Sequence, residues 1–207
     1  TSTPSSRKSS KSREKKNEAS YWHYYDGKTM VPTDFTGTTL IPIDQGKDVV
    51  FTQKRDYWTG ILDKGTLTKG KELLTVEAIR KAGLNIKKQW ADKDGLYLMG
   101  YMKNDKGENQ NVVRQYSLQD GQLIQSFEGP LTKEGRGYVV TEHRVVLGQE
   151  GGIYWIYRKK DGKLLGKFKT EPKLTMEILT PMKNDSILIY RRISREEGEA
   201  KLYRMDL

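Results

Sequence analysis

The sequence predicts a mainly β fold. Antiparallel meanders recur about every 41 residues, either propeller-like or as an open β domain, with one short helix near 71–82. Three observations predict this. Short β-branched and aromatic runs alternate with Asp-Gly, Lys-Gly and Asn-Asp turns. Asp120-Gly121 and Asp161-Gly162 stand 41 residues apart. At the same offset Tyr97 meets Tyr138, Tyr116 meets Tyr157, Leu123 meets Leu164 and Phe127 meets Phe168.

Each element has its own justification. Thr1 to Ser20 holds seven Ser and no apolar residue larger than Ala. Such a segment cannot offset the entropy of ordering, so residues 1–20 read as a disordered basic tether and 21–207 as a single β-rich domain. Asp48–Phe51, Leu96–Met102, Tyr138–Thr141, Ile153–Tyr157 and Ile187–Tyr190 read as strands. Lys71–Ala82 places Leu73, Leu74, Val76 and Ile79 on one helical face, and Gly83 follows as a stop. Asp-Gly supplies the positive φ that a tight hairpin needs. A looser third unit runs from Ile187 through Ala200–Asp206. Tyr24-Tyr25-Asp26-Gly27-Lys28 repeats the hairpin near the start. This predicts that Thr29–Phe35 pairs beside Lys201–Asp206 and closes the fold, with Pro32 at an edge.

Composition bounds the chemistry. The 207 residues carry 35% hydrophobic and 31% charged side chains, enough for one modest core. No run is long and apolar enough for a membrane helix. The absence of cysteine excludes disulfides, thiolate catalysis and Cys-ligated zinc. Of the net charge of +10, +4 falls in the leader, where Arg7, Lys8, Lys11, Arg13, Lys15 and Lys16 face only Glu14 and Glu18. These six cations form a candidate tether to an anionic membrane or cell-wall polymer.

The motifs are weak for catalysis. Gly65–Glu72 approaches a phosphate-binding loop, but Glu72 replaces the hydroxyl that would hold magnesium. It reads as a Lys-Gly turn before the helix. Arg136-Gly137-Tyr138 opens like an RNA-recognition signature and then lacks its aromatics, leaving Tyr138 a core strand residue. His23 and His143 are the only histidines, so no His-rich metal site is expected. No nucleophile elbow or carboxylate pair stands out, and no cofactor is expected. Trp58, Trp90 and Trp155 read as core anchors. Tyr21-Trp22-His23-Tyr24-Tyr25 is the densest aromatic cluster. On a strand its two sides separate, and Tyr21, Trp22, Tyr24 and Tyr25 are the candidate platform for a protein or glycan ligand.

Two resemblances follow from these residues. The polar, basic leader is similar to the tether that follows the lipid-bearing cysteine of bacterial lipoproteins. Tyr154–Lys163 resembles blades of quinoprotein-type propellers, and the 41-residue period is close to one blade. Together they imply a non-enzymatic, extracytoplasmic binding protein held at a bacterial cell surface. Three alternatives stay open: a cytoplasmic location, a basic nucleic-acid-binding protein, and a small β-fold hydrolase with unidentified carboxylates.

Overall fold

The computed structural model describes residues 22–25, 28–43, 46–133, 136–149, 152–170, 176–192 and 200–207. The leader cations and Tyr21 lie outside them. The described chain is a propeller-like row of antiparallel meanders. A hairpin, β1 (His23–Tyr25) and β2 (Met30–Pro32), precedes three four-stranded blades. Blade I holds β3 (Leu40–Pro42), β4 (Asp48–Gln53), β5 (Asp56–Asp63) and β6 (Thr66–Leu74). The helix α1 (Val76–Lys81) leads to blade II, with β7 (Asn85–Asp92), β8 (Gly95–Lys103), β9 (Asn109–Tyr116) and β10 (Leu123–Leu131). Blade III comprises β11 (Arg136–Val140), β12 (Arg144–Gln149), β13 (Ile153–Arg158) and β14 (Leu164–Lys169). Blade IV has β15 (Met176–Pro181), β16 (Ser186–Arg192) and β17 (Ala200–Asp206).

The strands alternate their side chains between two buried faces, which explains the near-continuous apolar runs. In blade II, Leu96, Leu98 and Val112 pack toward blade I against Val50, Tyr57 and Leu73. Tyr97, Met99, Val113 and Phe127 face blade III, against Tyr138, Val140, Val145 and Leu147. The other side of blade III, Val139, Val146 and Tyr154, meets Leu179, Ile187 and Ile189 of blade IV. Each fully buried Leu or Val contributes roughly 1.5–3 kcal/mol, so the three junctions hold the row together. The first strands β3, β7, β11 and β15 are neighbours along the inner side. There Gln89 accepts from the Tyr57 hydroxyl (2.9 Å) and donates to Thr39 (3.1 Å). The Lys88 ammonium donates to the carbonyls of Tyr138 (3.0 Å) and Leu179 (3.3 Å), so one cation spans three blades.

Five expectations are corrected. The helix is shorter than 71–82: Lys71–Leu74 pair with β5 as the end of β6. Thr75 then caps α1, its hydroxyl accepting from the Ala78 amide (3.1 Å), and Gly83 follows at φ +72°. Lys69-Gly70 correspondingly lie within β6, not in a turn. The 41-residue offset is in phase only for the third and fourth strands. Tyr97 lies on the second strand of blade II and Tyr138 on the first of blade III. The Asp-Gly turns are four-residue loops rather than two-residue hairpins. Their bonds match at the offset: Gly121 N to Ser117 O (3.0 Å), Gly162 N to Arg158 O (2.9 Å). Two consecutive left-handed residues occur instead at Lys54-Arg55, Lys64-Gly65 and Asn184-Asp185. Finally, β2 pairs with β1 and not with β17, so the predicted closure of Thr29–Phe35 beside Lys201–Asp206 does not form among the described residues.

Candidate functional site

Because 1–2 and 3–4 turns emerge at the same end of a meander, polar turns from blades II, III and IV converge there. They border a cavity of about 470 Å³ lined by Trp90, Asp92, Asp94, Thr141, Lys159 and Met182 among others. Lys159, with 6% of its side chain exposed, reaches from blade III to blade II. Its ammonium lies 2.7 Å from Asp92 and 2.9 Å from Asp94, and donates to the Glu142 carbonyl (3.3 Å). Burial pushes the Asp92 carboxyl up, against the pull of Lys159. A carboxylate with displaced acidity is what a hydrolase would need. Here both carboxylates are committed to one ammonium, which makes the trio an inter-blade ion lock. The next junction repeats the device: Asp185 of blade IV bonds Thr141 and His143 of blade III. Among the described residues no group of three or more His, Cys, Asp or Glu could hold a metal ion.

Among the described residues, blade IV differs from the others in having only one covered face. Pairing across β15, β16 and β17 puts Ile178, Leu188, Tyr190 and Leu202 on the side opposite Leu179 and Ile189. Ile178 is 44% and Leu202 62% exposed, and Leu188 and Tyr190 are half-buried. Arg192 and Arg204 lie on this same face. At the other end of the row, the outer face of blade I is covered. Phe35 and Trp22 pack over Phe51, with ring centroids 5.8 Å apart at each step.

Of the predicted platform, Trp22, Tyr24 and Tyr25 fall on or beside β1 and Tyr21 lies outside the described residues. Trp22 is 37% exposed, but its ring leans on Phe35 and its Nε1 donates to the Gly37 carbonyl (2.7 Å). One side of it anchors a loop. Trp58, Trp90 and Trp155 are half-buried rather than central. Lys69 lies 3.3 Å from the Trp58 ring centre and Lys167 3.8 Å from that of Trp155. Tyr138 is a buried interface residue, as its strand pattern predicts. The blade IV face was missed in the sequence. Ile178 and Leu202 follow the same alternation as buried strands, and no local signal tells which side lacks a neighbour.

No family model matches the chain, and no curated protein does. Among solved structures, BamB from Moraxella catarrhalis is similar over 82% of this chain and 43% of its own, at 13% identity and a TM-score of 0.45. The computationally designed Ika4 protein is similar over 82% of this chain and 99% of its own, at 15% identity and a TM-score of 0.45. The WD40 β-propeller domain of Doa1 is similar over 89% and 75%, at 10% identity and a TM-score of 0.40. The chain spans less than half the length of the BamB chain it matches.

Proposed function

We propose that the protein is a non-catalytic interaction module whose blade IV takes an acidic protein partner, and whose basic leader holds it at an anionic bacterial surface. The exposed blade IV face carries the reading. Every other blade junction here is an apolar sheet face packed on another, and Ile178, Leu188, Tyr190 and Leu202 present the same chemistry with no blade against them among the described residues. The partner that fits is a sheet face of its own, with an acidic rim that joins Asp206, 3.4 Å from Arg204, beside Arg192 and Arg204. A net charge of +10 opposes a second copy of this chain. Lys159 engages an oxygen of each of the two cavity carboxylates, Asp92 and Asp94, which speaks against hydrolysis. The chain's own lysines cover Trp58 and Trp155, which removes one face of each ring from base stacking.

Photo-crosslinking in cells tests the docking face. A benzophenone side chain at position 178 or 202 is expected to give one discrete adduct that a probe at exposed Ile124 does not. The same adducts from all three positions, none at all, or an adduct of twice the chain's mass would overturn the reading. For the leader, deletion of Thr1–Ser20 is expected to weaken binding to phosphatidylglycerol vesicles, each cation contributing about 1 kcal/mol near such a surface. Unchanged binding would remove the tether from the proposal.

A further inference from the structure

A second cavity, of about 490 Å³, lies on blade I, away from the blade IV face. Its wall is the connection from β2 to β3. That segment is pinned at several points: Asp34 N donates to Gly65 O (3.0 Å), and Asp34 Oδ1 accepts from the Leu67 amide (2.9 Å). Trp22 holds the Gly37 carbonyl, and Thr52 N donates to Thr39 O (3.0 Å). Gly37 is packed so closely on Phe35 and the Thr52 carbonyl that a Cβ would collide with both. The loop Thr36-Gly37-Thr38 is therefore held in place before any ligand arrives. Among the described residues, no acceptor pairs with the backbone amides of Thr36, Gly37 or Thr38.

The opposite wall is cationic. Lys54 and Arg55 form the β4–β5 turn, both in the left-handed region, at φ 52° and 73°. Neither is the glycine or asparagine that this conformation favours, so the turn keeps two cations where a less strained pair would fit. Lys69 lines the same space, its ammonium 2.7 Å from Gln53 Oε1. Among the described residues, Asp34 is the one acid on the lining, and one of its oxygens is already committed to Leu67. Phe35, Phe51 and Leu67 supply an apolar floor.

We infer that this cavity binds the phosphate group of a small organophosphate, with Lys54, Arg55 and Lys69 meeting its charge and the 36–38 loop supplying neutral donors. The volume exceeds that of a phosphate alone and leaves room for a glycerol- or sugar-sized remainder over the apolar floor. The phosphate can come from a soluble metabolite or from a phospholipid headgroup. Trp58, under Lys69, and Trp22, behind the loop, make fluorescence a local readout.

The test titrates the full chain with inorganic phosphate and with glycerol 3-phosphate at fixed ionic strength. Saturable binding is expected, tighter for glycerol 3-phosphate, and weakened at least tenfold in Lys54→Gln/Arg55→Gln. Glutamine keeps the same left-handed strain, so this variant should fold as the parent does, which circular dichroism checks. Lys160→Gln/Lys163→Gln, of equal charge on exposed turn residues of blade III, is expected to bind as the parent does. No saturable binding of either phosphate, or equal loss in both variants, would overturn the site. The source is decided by a further arm with the Thr1–Ser20 deletion on phosphatidylglycerol vesicles. If Lys54→Gln/Arg55→Gln lowers that binding, the ligand is a headgroup; if it does not while glycerol 3-phosphate binding falls, the ligand is soluble.

Discussion

Asp185 shows how much one side chain can join. Its carboxylate accepts from Thr141 Oγ1 (2.7 Å) and the His143 amide (2.7 Å), and lies 2.8 Å from His143 Nδ1. Burial alone would raise its pKa. The bonds from Thr141 and His143 outweigh burial and hold the carboxyl below its ordinary value. A lowered folded-state value contributes stability above the ordinary carboxylate range, and that stability is lost as pH falls through the lowered value. Asp185→Asn keeps a side chain that tolerates the left-handed turn but removes the charge. At neutral pH it is expected to cost about 1.5–3 kcal/mol in urea unfolding. As pH falls below the ordinary carboxylate range the parent should then lose more stability than the variant, narrowing the gap. Parallel stability curves across that range would show that Asp185 does not carry the effect. Asp92 has the opposite sign. Its raised value favours the fold at low pH and loses that contribution as pH rises through it, so the two carboxylates partly offset one another.

Among the elements, the two Asp-Gly loops separate what sequence can and cannot say. Gly121 and Gly162 both adopt positive φ, +71° and +70°, and both close the same four-residue loop. Their surroundings differ. A Cβ on Gly121 would collide with the Leu73 carbonyl of blade I, whereas one on Gly162 would meet only Gln125 Oε1 at 3.5 Å. Gly162→Ala is expected to cost about 1–2 kcal/mol from backbone strain. Gly121→Ala should exceed it by about 1–3 kcal/mol, because the I–II junction must move apart. Equal costs in thermal unfolding would contradict this packing. The loops themselves were legible, since Asp-Gly between apolar runs has few other meanings. The blade phase was not. Strands buried on both faces lose the polar alternation that marks a solvent side, so β8 and β11 look alike although they hold different places. Leu73 misled the helix boundary for a related reason: it is buried toward blade II from a strand, yet its spacing to Val76 and Ile79 also satisfies a helical face. The candidate sites were still less visible. Trp22 announces an aromatic surface, and only its bond to Gly37 reveals that it supports a neighbouring cavity.

Across the whole molecule, stability should be graded along the row. Among the described residues, blades II and III bury both faces, and blade IV one. Where each unit contacts only its neighbours, stability is close to a sum of unit and junction contributions. Native-state hydrogen exchange should therefore show the strongest protection in β8, β9 and β12, and earlier opening of β16. Equal protection in β16 and β8 would mean that the row unfolds as one body. The double burial has another consequence. In a sheet with one wet side, sliding a strand by one residue throws its greasy set into water, and solvent polices alignment. Inside blades II and III the same slide would merely trade one dry neighbour for the other. Alignment there falls to shape and to a few polar gauges: Gly100 fits beneath the Asn85 carbonyl, and the Tyr138 hydroxyl sits 2.6 Å from both Gly100 O and Asn111 Oδ1. Replacing that phenol by Phe would leave the oil content of the junction intact while erasing the mark by which two adjoining ribbons keep their place.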